Sequence, residues 1–188
     1  MKLVPVSEIF NVHYGVNFEL NKMTLDTNGI NFVSRTAKNN GVSAKVKKLL
    51  NKIPNPKNTI SVAGGGSVME SFLQKAPYYS GRDLYYLVPL VDLTDEELLY
   101  YCSCLRANKY RFNYGRQANR TLKELLIPAK SEIPTWVYEE DISKFDNANK
   151  SFSNEQTGII DIKTWATFKL DVLFERLNLG SFASNKLI

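Results

Sequence analysis

Apolar and polar positions change their spacing several times along the chain, and each change predicts an element. Residues 30–34 (INFVS) alternate as a half-buried strand does, and NTISVA, residues 58–63, is a β-branched strand running into Gly64, Gly65 and Gly66. DLYYLVPL, residues 83–90, predicts another strand. Nearer the N-terminus, VSEIF predicts a single helical turn opened by Ser7, followed by a short strand NVHY that ends at Gly15. After Thr94 the period lengthens. Thr94 and Glu97 form a capping box for a helix through Lys109, with Leu98, Leu99, Tyr101, Cys102 and Leu105 on its buried face. VKKLLNK, residues 46–52, predicts a second amphipathic helix that buries Leu49 and Leu50 and is stopped by Pro54 and Pro56. TLKEL, residues 121–125, reads as a short helix running into LIP, and the Asn-Asn-Gly of RTAKNNGVSA marks a loop. Short strands mixed with helices, without a regular βαβ alternation, argue for an α+β fold.

The pattern loses its periodicity past Pro134 and Trp136, where EEDISKFDNANKSFSNEQTG is polar and rich in Asn and Ser. Beyond it the N-terminal order recurs: Val6, Ser7, Ile9 and Phe10 align with Leu170, Asp171, Leu173 and Phe174, and Gly15 aligns with Gly180 after one inserted residue. The expected organisation is a main domain over residues 1–135, a polar linker over 136–158 and a partial repeat over 159–188. A length of 188 residues with 44% hydrophobic and 23% charged positions suits one compact domain with an appendage.

Charge changes the picture more than composition does. The net charge is +5, but up to Pro128 there are 17 Lys and Arg against 10 Asp and Glu, and from Ala129 onward 7 against 9. No acid occurs between Asp26 and Glu70, a gap that holds Arg35, Lys38, Lys45, Lys47, Lys48, Lys52 and Lys57. A second acid-free stretch, RANKYRFNYGRQANR, interleaves Arg106, Lys109, Arg111, Arg116 and Arg120 with Tyr110, Phe112 and Tyr114. Lysine runs are commonly solvated helix faces, which accounts for VKKLLNK. The arginine stretch also carries Asn113, Gln117 and Asn119, and Arg, Asn and Gln are the side chains that fork onto guanine and adenine edges. A polyanionic partner, contacted by this stretch, is the expectation.

Other chemistries are poorly supplied. Cys102 and Cys104 are two apart in a predicted helix, so they point apart and read as reduced thiols; with the single His13 they fall short of a four-ligand zinc site. His13 has no nucleophile motif beside it and reads as a structural histidine. The triple glycine follows a strand yet lacks the GK[ST] of a phosphate loop, so it reads as a flexible turn whose bare backbone can approach a phosphate. Asp95, Glu96 and Glu97 read as the acidic first turn of a helix. The longest apolar run, LYYLVPLV, is far below the roughly 18 residues of a membrane span, and Glu8 interrupts the place of a signal peptide's apolar stretch. No metal, cofactor or membrane partner is expected, and the location is expected to be cytoplasmic.

The segments VSEIFNVHYG, FVSRTAKNNGVSA, NTISVAGGGSVMESFLQKAPYYSGRDLYYL and KYRFNYGRQANRTLKELLIPA together resemble the target recognition domain of DNA-specificity subunits from restriction-modification systems, type I and related type II. The resemblance covers about the first 135 residues, and the last two segments carry most of it. It implies a target-recognition domain with a small twisted β-sheet and packed helices. It implies also sequence-specific binding of duplex DNA, no catalysis in this chain, and a methyltransferase partner that supplies the chemistry. Such domains usually occur in tandem, and WATFKLDVLFERLNLG then reads as the start of a second; here the rest of that domain is missing and the linker lacks a coiled-coil repeat. On this reading Arg35, Asn39 and Asn40 in one loop, and Arg116, Gln117, Asn119 and Arg120 in another, contact bases or phosphates. Lys38, Arg82 and Arg111 are phosphate anchors or structural pairs, and Asp83 is expected to hold its neighbour Arg82. A homodimer formed through the partial repeat, or docking of that repeat on the methyltransferase, is a further expectation, favoured over packing on its own domain. The alternatives are an RNA-binding module that stacks unpaired bases on the basic, aromatic turn, and a fragment of a nucleic-acid-modifying enzyme.

Overall fold

The computed structural model of the protein describes residues 1–112, 118 and 121–139. Strand β1 (Leu3–Pro5) passes into the one-turn helix α1 (Val6–Ile9) and directly into β2 (Phe10–Tyr14). β3 (Leu25–Val33), β4 (Val42–Val46), β5 (Thr59–Ala63), β6 (Ser71–Gln74), β7 (Tyr78–Ser80) and β8 (Leu84–Pro89) precede the main helix α2 (Asp95–Ala107), and β9 (Leu126–Pro128) follows it. This is a mixed α/β arrangement with three sheets where one small sheet was expected. Their strand orders are β1-β9, β2-β8-β5-β6 and β4-β3-β7. All pairings are antiparallel except β3 with β7, where Asn31 stands opposite Tyr78 and Val33 opposite Ser80.

The core lies between the four-stranded sheet and α2. Ile60, Val62 and Leu87 from the sheet meet Leu98, Tyr101, Cys102 and Leu105 from the helix, and Val6, Ile9 and Phe10 close one side. Phe10 meets Tyr101 edge to face at 5.3 Å, and the Tyr101 hydroxyl donates to the Pro128 carbonyl at 3.2 Å, so one tyrosine ties the helix to β2 and to β9. The capping box forms as the spacing predicts: the Glu97 amide donates to Thr94 Oγ1 and the Thr94 amide to the Glu97 carboxylate. Glu97 is buried, and Tyr138 also donates to it at 2.9 Å. Trp136 packs against Tyr100, and Val137 is buried, so the chain remains attached to α2 through Tyr138. Burial pushes the Cys102 thiol up to about 12 and also raises Cys104; both cysteines are free.

Several expectations give way here. VKKLLNK is not a helix. Val46 belongs to β4, where it faces Leu25 and Ile30 of β3, the Lys47 amide donates to Thr24, and the Leu49 amide donates to the Tyr79 hydroxyl. Cross-strand bonds claim the amides that a helix would need, and Leu50 is fully exposed instead of buried. The first helical turn starts at Val6 after Pro5, with no side-chain cap, because Pro at the entrance fixes the extended φ of −59° and Ser7 lies already inside the turn. α2 ends at Ala107, where the Asn108 side chain bonds back to the Cys104 carbonyl and a separate 3-10 turn, Lys109–Phe112, takes over. β3 begins at Leu25, five residues before the alternating stretch, with an irregular register between Leu25 and Ile30.

Candidate nucleic-acid interface

Three connections meet at the end of the sheet where β5 finishes and β8 begins. The first is the loop from Ser34 to Gly41. Its chain closes through the Ser34 amide on the Gly41 carbonyl at 2.8 Å, and Asn39, Asn40 and Gly41 take left-handed φ values of 51°, 51° and 78°. Asn tolerates this region better than other residues with a Cβ, which is why Asn-Asn-Gly can turn here. Gln74 donates to the Asn40 carbonyl at 2.9 Å, anchoring the tip on β6. Lys38 and Asn39 are exposed, and Asn40 is half-buried.

The second connection is the glycine turn, which is held on three sides. The Gly64 amide donates to the Asp83 carbonyl at 2.8 Å, the Gly64 carbonyl accepts from the Ala118 amide at 3.1 Å, and the Ser67 amide reaches the Arg35 carbonyl at 3.4 Å. Gly64 is required by close approach: a Cβ there would stand 2.8 Å from Tyr85 Cε2. Gly66 has φ +63°, and a Cβ there would lie 3.2 Å from both Cβ and O of Arg35. The turn is a packed junction, and its composition reflects space as well as flexibility.

The third connection is Gly81–Asp83, between β7 and β8. Asp83 adopts φ 53° and accepts from Arg35 Nη1 at 2.8 Å. The other carboxylate oxygen accepts from the Tyr14 hydroxyl at 3.3 Å, and the Asp83 amide donates to that same hydroxyl at 3.0 Å. Asp83 therefore holds Arg35, 48 residues away, and not its neighbour Arg82 as expected. A residue cannot easily turn its carboxylate back onto the side chain immediately before it when Tyr14 and Arg35 fix both oxygens. Arg82 is exposed and has no charged or hydrogen-bonded partner among the described residues. Arg35 and Arg82 line one open cleft of about 640 Å³ together with Phe18, Glu19, Leu20, Asn21, Phe32, Ser34 and Gly81.

Aromatic rings complete the surface. Tyr14 is 46% exposed and meets Tyr85 edge to face at 5.1 Å. Burial, and then the neighbouring Tyr14 and Asp83, raise the Tyr85 hydroxyl above its ordinary range. His13, one step along β2, stacks on its cross-strand partner Tyr86 at 4.9 Å, the structural role expected for it. Arg111 lies on the exposed 3-10 turn after α2 and reaches Asn108 at 3.5 Å, while Lys109 pairs with Glu70 at 2.8 Å. Arg116, Gln117, Asn119, Arg120 and Asn113 lie outside the described residues. Ala118, which falls within GRQANR, is buried and its amide donates to the Gly64 carbonyl, so Ala118 belongs to the same junction. Tyr14, Asp83 and Tyr85 were missed as a group, because 69 residues separate Tyr14 from Asp83 and the only local signal was the exposed edge tyrosine of a short strand.

Residues 1–134 match the model of the family described as the type I restriction modification DNA specificity domain. The chain belongs to that family. It is 29% identical over 186 residues to the type II restriction enzyme BgcI specificity subunit S.BcgI of Heyndrickxia coagulans; the alignment covers 93% of this chain and 54% of that subunit. The chain thus spans about half the length of this curated relative. Among solved structures, the type I restriction-modification S subunit from M. genitalium superposes with a TM-score of 0.56 at 23% identity, covering 78% of this chain and 39% of that one. The HsdS subunit from Thermoanaerobacter tengcongensis gives a TM-score of 0.52 at 17% identity, covering 68% and 32%. At these identities the likeness is one of fold. No helix among the described residues is long and apolar enough to cross a membrane.

Proposed function

We propose that this specificity-family domain reads duplex DNA and directs a methyltransferase partner, with any associated nuclease, to its target, the chemistry residing in the partner subunits. The observation that carries the reading is a single junction shared by residues distant in sequence: the Arg35 loop packs on Gly66, and the Ala118 amide donates to the Gly64 carbonyl. Rigid strands hold the junction, and the residues that contact ligand stand on the loops between them. Arg35, Asn39, Asn40, Arg116, Gln117, Asn119 and Arg120 are the proposed base or phosphate contacts; Lys38, Arg82 and Arg111 lie among the proposed phosphate anchors. Bound metal and cofactor have no part in this reading; among the described residues no group of His, Cys, Asp and Glu has the arrangement of a metal site.

The partial repeat adds a proposal about assembly. In the first copy Val6, Ile9 and Phe10 are buried in the core, so their counterparts Leu170, Leu173 and Phe174 call for a covering surface as well. A second copy of the chain supplies it and makes a two-fold dimer that reads a symmetric site. The test of the function is selection from a random duplex library by the full chain, with and without a methyltransferase partner. A recovered motif supports sequence readout. Recovery of random sequence in both conditions overturns it.

A further inference from the structure

We propose that Asp83 and Tyr14 are positioning residues that commit Arg35 to a base edge and leave Arg82 to a phosphate. The inference deepens the DNA-reading function proposed above and rests on it. Arg35 and Arg82 line the same cleft, yet their surroundings differ in charge. Arg35 Nη1 is 2.8 Å from an Asp83 carboxylate oxygen, with side chains 36% and 18% exposed. That pair carries no net charge. The carboxylate opposes part of the guanidinium's attraction for an approaching phosphate, so less Coulomb energy is gained there than at an unpaired arginine. Guanine O6 and N7 are neutral acceptors and need donors in a fixed fork, not a charge. Among the described residues, the remaining guanidinium donors of Arg35 have no protein partner, and the carboxylate that occupies Nη1 anchors one corner of the group and restrains how they are presented.

Tyr14 holds the carboxylate in turn. Its hydroxyl donates to Asp83 and accepts from the Asp83 amide, so side chain and backbone of a left-handed residue are fixed by one group from β2. Gly66 lets the Arg35 backbone lie against the glycine turn. Arg82 has none of these restraints and keeps its full charge in the cleft, the property that releases counterions when a phosphate is neutralised.

The experiment uses the full chain and a motif recovered from the duplex library. Duplexes carrying each single base-pair change are titrated by fluorescence anisotropy across a salt series, for the wild type, Asp83→Asn, Tyr14→Phe, Arg35→Lys and Arg82→Ala. Asn tolerates the left-handed backbone at position 83, so Asp83→Asn removes charge without straining the turn. Tyr14→Phe, which deletes one hydroxyl, covers the case in which Asp83→Asn does not fold. Asp83→Asn and Arg35→Lys are expected to lose about tenfold discrimination at the same base pair and to keep it elsewhere. Tyr14→Phe loses less at that base pair. Arg82→Ala weakens all duplexes equally and makes the slope of log K against log salt shallower by about 0.9. Parallel weakening of all duplexes by Asp83→Asn, or unchanged discrimination in both Asp83→Asn and Tyr14→Phe, overturns the assignment while the motif of the wild type stands. If the wild type recovers no motif, the function itself fails and the assignment falls with it.

Discussion

Replacing Gly64 by alanine adds one methyl group at the junction where the three connections meet. The new Cβ would stand 2.8 Å from Tyr85 Cε2 and 3.1 Å from both Tyr85 Cδ2 and the Asp83 carbonyl oxygen. The ring cannot swing freely, since Tyr14 meets its face or edge at a centroid distance of 5.1 Å and Tyr14 is itself bonded to Asp83. Overpacking of this kind costs about 1–3 kcal/mol, while the stiffer unfolded chain returns about 0.4–1 kcal/mol. The net loss is at most about 2.6 kcal/mol, and at about 2–4 °C per kcal/mol for a chain of this size Tm falls by up to roughly 10 °C. Urea denaturation of Gly64→Ala, of Tyr85→Ala and of the double variant separates the clash from other causes. With the ring absent, the Gly64→Ala step should cost less, the tight approach to the Asp83 carbonyl remaining. A Gly64→Ala step that costs as much without the ring as with it would refute the packing argument, and unchanged sequence discrimination in Gly64→Ala would refute the coupling of this turn to Arg35.

Thr94→Ala removes the side-chain half of the α2 capping box and should lower unfolding free energy by about 1 kcal/mol, measured by urea denaturation. Cys102, with its thiol pushed up to about 12, should resist a thiol reagent in the native state, whereas the half-buried Cys104 reacts slowly and both react fast in denaturant. The same raised thiol predicts alkaline instability: the unfolded thiol ionises near its ordinary value of about 9, the folded one holds its proton, and stability present below pH 9 falls as pH climbs towards 12, by up to about 1.4 kcal/mol per pH unit. Cys102→Ala should remove that part of the slope. A chain ending at Ser153 should sediment as a monomer at concentrations where the full chain dimerises; identical behaviour of the two would contradict the proposed role of the partial repeat.

The elements legible in the sequence were those whose signals are local. Thr94 and Glu97 announce α2, and the β-branched NTISVA and the apolar DLYYLVPL announce β5 and β8, because capping and strand propensity act within a few residues. β7 is only Tyr78–Ser80, and it exists through parallel pairing with β3, some 47 residues back, which no local pattern encodes. VKKLLNK misleads for the opposite reason: its local pattern suits a helix, and the nonlocal pairing of Val46 with β3 prevails. The candidate site divides in the same way. Arg35 and Lys38 stand out by charge in a loop with a strong turn signal. Asp83 and Tyr14 become partners of Arg35 only when three connections distant in sequence are brought to one end of a sheet.

The proposed engagement of duplex DNA through a basic face is tested most directly by fluorescence anisotropy of the full chain on a recovered duplex site, across a salt series and in competition with single-stranded DNA and RNA. Each phosphate neutralised contributes about −0.9 to the slope of log K against log salt, so two to four contacts give a slope of roughly −2 to −4. Such a slope, together with a preference for the duplex, is the expected result. A slope indistinguishable from zero, or equal competition by single-stranded RNA, would contradict it.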